Sequence, residues 1–536
     1  MKLTKKLLIT TSLAAAAIFT GCNKDFLNKG IPQDQLTINT FYQTAEELQM
    51  VTSYLYGQPW FDYNWPFSYQ ISEVQSANAV TYTWNQNATA FLNFATPANS
   101  SDTKYGWSSL FNVVAHCNTT IINVTEKTPE TLAAAKMTAL GEAHFIRAMA
   151  YFQLVQIFGP VPIIEDNNKI AADPNVKTNI VKDVYRFIIT DLNNAVRLLP
   201  LTNTKGHVNR WGAKGLLSKV YLTNAGINGN REQASLDSAR KYALDVAANS
   251  GYALAQNYSD IFLSKNNNAL PEQMFGLQWS VDAGSPYGNN DQRQTQIEGD
   301  AAIDDVGGGG WGGFRVSADL AKLFSDSDLR RKATFMRAGD IYPELITANN
   351  PNGYAMTDTS ALFIKKYVIG GPLANGGANI RPQFGNIPTY LLRLSDVYLV
   401  LAEATLGSAA STADAEALLY FNKVRTRAGL PTVSTLNFQT IFNERRLELA
   451  GENQFWFDIK RWHDWDAAGA TAFVKGQHRN MASFFPDRGT YYETTQPDQG
   501  QLTIVTGISP QSWTLGYPAA DLTSNPNLSQ PPVPYY

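Results

Sequence analysis

The amino-acid sequence predicts a mostly α-helical fold interrupted by long irregular loops. Three observations carry that expectation. Apolar residues return at steps of three and four over several long stretches, the period of an amphipathic helix. Those stretches end at glycine and proline, which cap and stop helices. Between Ser264 and Pro388 the period disappears and Gly, Asn, Asp and Pro accumulate, while aromatic residues stay frequent enough to argue against disorder.

Taken in order, residues 1–21 stand apart from the fold as a secretory signal. Lys2, Lys5 and Lys6 form a basic start, and Leu7 to Phe19 form an apolar run too short to span a bilayer. The segment closes Ile18-Phe19-Thr20-Gly21-Cys22, a small residue before cysteine that resembles a bacterial lipobox, with Phe19 where leucine is commoner. Acyl chains on Cys22 would bury methylenes worth about 0.8 kcal/mol each, and stable anchoring takes more than one chain. The mature chain is therefore expected to begin at a lipidated Cys22 and to continue through a polar tether, Asn23 to Gly30.

Phe41 to Tyr56 reads as the first helix, with Thr40 as its cap. Pro59 to Trp84 is aromatic and too rich in turn residues for one helix, carrying Trp60, Tyr63, Trp65, Phe67, Tyr69, Tyr82 and Trp84. Trp107 to Asn123 is helical again. Leu140, Ala143, Ile146, Ala150, Leu154 and Ile157 then mark one face of a long helix that stops at Phe158-Gly159-Pro160. Val184–Leu199, Trp211–Leu222, Ser238–Ala248, Ser395–Ala404 and Ala413–Ala428 repeat the pattern.

The stretch Ile441 to Trp462 closes the helical series and concentrates charge and aromatic surface. Glu444, Glu448 and Glu452 fall at i, i+4 steps on one helical ridge, with Ile441, Arg445 and Leu449 on the next. Phe455, Trp456, Phe457 and Trp462 come directly after, so the arginines and Lys460 are expected to lie on apolar surface with their heads paired to carboxylates such as Asp458. Such a cluster is either a catalytic carboxylate group or a structural ion-pair network; buried, paired charges favour the structural reading.

Composition excludes several functions. Forty-three Lys and Arg against 46 Asp and Glu give a net charge of −3, and losing Lys2, Lys5 and Lys6 with the leader lowers it by three to −6, so nothing attracts nucleic acid. Charged residues are only 17%, against about 25% in an average chain, which suits neutral, hydroxyl-rich ligands. With Cys22 acylated, Cys117 has no partner for an intrachain disulfide and reads as a small buried hydrophobe. The five histidines, His116, His144, His207, His463 and His478, form no zinc motif, and no nucleophile-elbow sequence occurs. Asp300, Asp304 and Asp305 could hold calcium, although a solvated loop is the simpler reading. No cofactor is expected.

The helical motifs together closely resemble the SusD/RagB family of surface lipoproteins. The resemblance runs from Glu142-Ala143 and Arg147-Ala148 through Phe158-Gly159-Pro160-Val161-Pro162, Asp191-Leu192, Leu199-Pro200 and Trp211 to Val220-Tyr221-Leu222. It continues through Arg393, Asp396, Ala402-Glu403-Ala404, Arg427-Ala428-Gly429-Leu430, the glutamate-arginine-arginine signature Glu444-Arg445-Arg446, and Asn525-Pro526-Asn527-Leu528. It implies a tetratricopeptide-like scaffold of helix pairs carrying long loop insertions. It implies one domain over 22–536, with 22–263 as a helical-repeat half and 264–536 as a loop-rich half bearing the ligand face. It also implies a non-catalytic, lipid-anchored outer-membrane protein at the cell surface that binds an oligosaccharide or other nutrient and delivers it to a SusC-like TonB-dependent transporter. A helical glycoside hydrolase and a scaffold that binds only protein are the alternatives.

A flat indole binds the apolar C–H face of a sugar ring while neighbouring polar groups take its hydroxyls. The resemblance implies that glycan binders of this family place such aromatics on loops of the irregular half and on the aromatic N-terminal insertion, so Trp84 with Asn85, and Trp311 with Tyr287 and Trp279 as weaker companions, are the candidate ligand residues. Trp107, Trp211, Trp456 and Trp462 sit on helical motifs and are assigned to the core. The run Gly307 to Gly313 has glycines at 307, 309 and 312 with dinucleotide-loop spacing, but no βαβ unit surrounds it; a flexible collar presenting Trp311 is the better reading.

Overall fold

The computed structural model describes residues 41–82, 84–281, 289–305, 310–494 and 507–536. The expected leader 1–21, Cys22, Tyr287 and Gly307 to Gly309 therefore lie outside the described residues.

The first helix is α1, Ala45–Tyr54, shorter than the expected Phe41–Tyr56. Tyr42 has a φ of 75°, which a right-handed helix cannot contain. The cap is Thr44, whose hydroxyl accepts from Glu47 N at 3.1 Å while the Glu47 carboxylate accepts from Thr44 N at 3.1 Å, a reciprocal pair that starts the helix there. The aromatic stretch beyond α1 is not one regular helix but short helical segments, a 3₁₀ turn at Gln58–Trp60 and π-helical turns at Tyr63–Phe67 and Gln70–Val74, interrupted by the extended backbone of Trp65, and it leads to β1, Ala79–Thr81.

After the short α2, Gln86–Leu92, come the long helices α3, Ser101–Lys127, α4, Ala133–Phe158, α5, Val181–Leu198, α6, Arg210–Asn224, and α7, Gln233–Asn249. From α3 onward each packs on its successor, the arrangement of stacked helix pairs. Close approach is supplied by small residues: Gly106 of α3 lies against the Phe67 ring, Gly141 of α4 against Leu199, and Gly215 of α6 against Leu392 and Val397. The α4 helix ends as its sequence dictates, with Gly159 at φ 76° before Pro160. Between α4 and α5, Arg147 forms a two-point pair with Asp191 at 2.8 Å through each contact.

The irregular half carries short strands. β2, Gln273–Leu277, pairs antiparallel with β4, Thr389–Arg393, and β3, Phe314–Val316, pairs antiparallel with β1. The one-turn helix α8, Arg293–Ile297, precedes β3. β4 feeds directly into α9, Leu394–Leu406, followed by α10, Ala415–Arg427, α11, Phe438–Leu449, and α12, Phe455–Trp465. One contiguous apolar core links both halves. Trp107 and Trp456 are buried in it, while Trp211 and Trp462 are half-buried and packed against its edge.

The charged stretch departs from a single helix. α11 ends at Leu449, and the chain turns through Gly451 at φ 81° and Asn453 at φ 60° before α12 begins. Glu452 therefore sits in the turn and not on the Glu444–Glu448 ridge, yet it reaches the same cluster. Glu448 accepts from Arg330 at 3.2 Å, Arg393 at 3.1 Å and Arg427 at 2.5 Å. Glu452 pairs with Arg393 at 2.7 Å and Lys366 at 2.8 Å, and Glu444 with Arg330 and Arg425, each at 2.7 Å. Alongside, Arg445 joins Asp396 to Asp458, and Arg461 joins Asp458 to Glu403. Burial opposes ionisation of Glu448, but Arg427, Arg393 and Arg330 hold its carboxyl well below the usual carboxylate range. These carboxylates are fully engaged with cations and tie α9, α11 and α12 to the irregular half; they are a structural network.

Candidate ligand-binding site

The site is built on the β1–β3 pair. Thr81 at the end of β1 faces Phe314 at the start of β3, so the residues after β1 and those before β3 emerge at the same end of the ladder. Tyr82, Trp84 and Asn85 lie just beyond β1, and Trp311, Gly312 and Gly313 lie just before β3. A two-stranded ladder thus gathers residues more than two hundred positions apart in sequence. Trp84 and Trp311 are each 57% exposed.

The two tryptophans are backed differently. The Trp84 ring runs nearly parallel to Tyr82, with centroids 6.4 Å apart and planes 14° from each other. Trp311 leans on Trp65, 5.9 Å away at 60°. Trp84 therefore lies near-parallel to an aromatic neighbour and Trp311 meets one at a tilt, and each leaves much of its surface open, the form of a stacking surface for a sugar ring.

Backbone anchors hold this geometry. Thr81 Oγ1 donates to the Gly313 carbonyl at 2.9 Å, and Trp311 N donates to the Thr295 carbonyl of α8 at 2.5 Å. Arg315 Nη1 donates to the Gly312 and Phe314 carbonyls at 2.6 and 2.8 Å, while its guanidinium lies over the Phe363 and Tyr82 rings. Burial lowers the Arg315 pKa below that of a free arginine, with Tyr82 opposing the fall. Gly312 has a φ of 57°, and a Cβ there would stand 2.7 Å from Gly299 Cα, so this turn requires glycine. Asn85 caps α2, its Oδ1 accepting from Ala88 N at 3.3 Å.

Of the residues singled out from sequence, Trp84, Asn85 and Trp311 lie on the two segments that leave the same end of the β1–β3 ladder. Trp279 does not present an open ring. It is 8% exposed, and its Nε1 donates to Thr389 Oγ1 at 2.9 Å, which in turn donates to Asn64 Oδ1 at 2.8 Å. The cause is the β2–β4 register, which sets Leu277 opposite Thr389 and carries Trp279 into the wall. Trp65 and Tyr82 also belong to the site, although the sequence shows them only as members of an aromatic stretch. Contact with Trp311 and Trp84 selects them, and one-dimensional spacing does not display it.

The acidic loop serves structure. Asp300 accepts from Ala302 N at 2.9 Å and from Tyr354 Oη at 2.8 Å, and Asp305 accepts from Ala348 N at 3.0 Å and Leu373 N at 2.9 Å. Among the described residues no group of three or more His, Cys, Asp or Glu is arranged to hold a metal ion. Glu298 is 1% exposed and accepts from Gln294 Nε2 at 2.8 Å and Gly310 N at 3.4 Å. Burial, with the nearby Asp304 carboxyl, pushes its pKa up to about 8.

Comparison with known proteins fits this architecture. The SusD family profile matches residues 271–536, and a profile described as "Starch-binding associating with outer membrane" matches residues 25–222. A SusD-like protein of Bacteroides ovatus is 35% identical, over 99% of this chain and 98% of its own length. The chain belongs to the SusD family. A crystal structure described as solved with a xylogluco-oligosaccharide superposes on this SusD-family chain with a TM-score of 0.82 and 34% identity, covering 91% of this chain and 99% of that one. A protein described as a laminarin-binding SusD-like protein superposes at a TM-score of 0.69 with 22% identity, covering 90% and 98%, and shares the fold. The mostly helical SusD fold expected from the sequence is thus the one observed, and the family description associates it with the outer membrane.

Proposed function

We propose that this SusD-family protein captures a neutral oligosaccharide by stacking it on Trp84 and Trp311, without cleaving it. The observation that carries this reading is the pair of open indoles, each backed by a second aromatic ring, at one end of the β1–β3 ladder. Asn85 and, outside the described residues, Tyr287 are proposed as companions. The similar structure solved with a xylogluco-oligosaccharide supports a glycan of that kind as the first ligand to test. We further infer an outer-membrane lipoprotein, cleaved after residue 21 and acylated on Cys22, that hands its ligand to a SusC-like TonB-dependent transporter.

The test is calorimetric titration of the chain starting after Cys22 with xylogluco-, laminari-, malto- and cello-oligosaccharides, repeated with Trp84→Ala and Trp311→Ala. Each variant should bind at least about tenfold more weakly, a loss of ~1.4 kcal/mol, with an unchanged melting temperature and no reducing ends released. Wild-type affinity in both variants would remove the two tryptophans from the site. Palmitate labelling that survives Cys22→Ala would refute the anchor, and a membrane pull-down without a β-barrel transporter would refute the partnership.

A further inference from the structure

The turn that runs from Arg381 to Phe384 is stitched to the helix that holds Trp311. Asp291 and Gly385 exchange backbone hydrogen bonds at 2.9 and 2.8 Å, and Thr295 Oγ1 donates to the Pro382 carbonyl at 2.7 Å. The Thr295 carbonyl receives Trp311 N at 2.5 Å, so one residue of α8 binds the backbone of both Trp311 and Pro382. Arg381 is therefore a close neighbour of the Trp311 segment, although the two are far apart in sequence.

Arg381 differs from the arginines around it. Arg293, Arg315, Arg330, Arg331, Arg337 and Arg393, the other arginines between β2 and α9, each donate to a carboxylate or a backbone carbonyl. The Arg381 guanidinium has no hydrogen bond or ion pair among the described residues, and its Nε is buried without an acceptor. Its position is fixed all the same. The chain reverses between Arg381 and Phe384, with Phe384 N donating to the Arg381 carbonyl at 2.8 Å, and the guanidinium carbon lies 4.1 Å from the centre of the buried Phe384 ring. The side chain stays partly open to solvent. A planar fork of N–H donors that is held by stacking and spends none of them inside the protein is preorganised for an acceptor that arrives from outside.

We propose that Arg381 is a specificity-determining residue of the capture site, its guanidinium taking two neighbouring hydroxyl oxygens of a glycan stacked on Trp311. The proposal rests on the capture reading above and deepens it. An indole accepts any sugar with an apolar C–H face, whereas a two-pronged donor favours a ring that presents two adjacent oxygens beside that face. A lysine ammonium carries the charge but lacks the fork.

The experiment is calorimetric titration with the same four oligosaccharide classes, using Arg381→Met, which keeps an apolar stem over Phe384 without the donors, and Arg381→Lys, which keeps the charge alone. Arg488→Met, at an exposed arginine that lies over Phe485 in a different turn, is the control. Both Arg381 variants are expected to weaken the best wild-type ligand by at least about fivefold, the weight of one net hydrogen bond, and to narrow the affinity ratio between the best and the second-best class, with the melting temperature unchanged. The control should bind as the wild type does. If Trp311→Ala loses binding while Arg381→Met keeps both affinity and ranking, the role of Arg381 is refuted and the platform stands. An equal loss for every class would make Arg381 a structural support and overturn the specificity role, and wild-type binding by Arg381→Lys would refute the fork. A wild type that binds none of the four classes overturns the capture reading and this proposal with it.

Discussion

Replacing Glu448 by Gln separates a structural network from a catalytic one. The carboxylate is fully buried and receives Arg330, Arg393 and Arg427 at 3.2, 3.1 and 2.5 Å. Its nearest cations keep other partners: Asp328 and Glu444 for Arg330, Glu272 and Glu452 for Arg393, and Glu272 for Arg427. The amide keeps the shape and one acceptor oxygen but leaves an uncompensated positive charge in the interior. Breaking a buried pair in this way costs about 3–5 kcal/mol, and the retained acceptor places Glu448→Gln near the lower end, about 3 kcal/mol. Unfolding entropy of about 2.1 cal/mol/K per residue gives about 1.1 kcal/mol/K for 536 residues, so the melting temperature should fall by about 3 °C. The assay is a thermal scan at pH 7, paired with oligosaccharide titration at 25 °C, where the variant should bind as the wild type does. The stabilisation has a defined pH window. The folded pKa is depressed, so the contribution is present above the ordinary glutamate range and lost as pH falls below it, and the deficit of the variant should shrink toward pH 3. An unchanged melting temperature at pH 7, or a folded variant with abolished binding, would refute the assignment.

Two further perturbations probe the site and its foundation. Glu298 titrates at about 8 in the folded protein against 4.5 for a free glutamate, so the folded state holds the extra proton between those values and stability falls as pH rises through them. Glu298→Gln should therefore gain melting temperature relative to the wild type between pH 5 and pH 8.5, and parallel curves would contradict this origin. A Cβ at Gly106 would stand 2.1 Å from the buried Phe67 ring, so Gly106→Ala should cost about 1–3 kcal/mol through displacement of that ring. Urea denaturation monitored by tryptophan fluorescence measures it, and an unshifted midpoint would mean that α3 can move away freely.

The sequence by itself determined the helical scaffold. Its periodic apolar faces, the Phe158-Gly159-Pro160 stop and the alanine- and glycine-containing contact surfaces are local signals, because helix formation and termination depend on residues within a turn or two of one another. It also marked Trp84, Asn85 and Trp311 through composition, since aromatics in turn-rich segments have no helical face to bury them. The start of α1 was misplaced because the left-handed Tyr42 is a backbone state that its neighbours do not announce. Glu452 left the helical ridge for the same kind of reason, the positive φ at Gly451 and Asn453. Tertiary structure alone decided which aromatics face each other. The β1–β3 register brings the segments of Trp84 and Trp311 to one end of a ladder, the β2–β4 register buries Trp279, and the meeting of Gln296 with Gly313 depends on α8 packing against the strand loop. Pairing across such distances is fixed by the closure of the whole core, which no local spacing encodes.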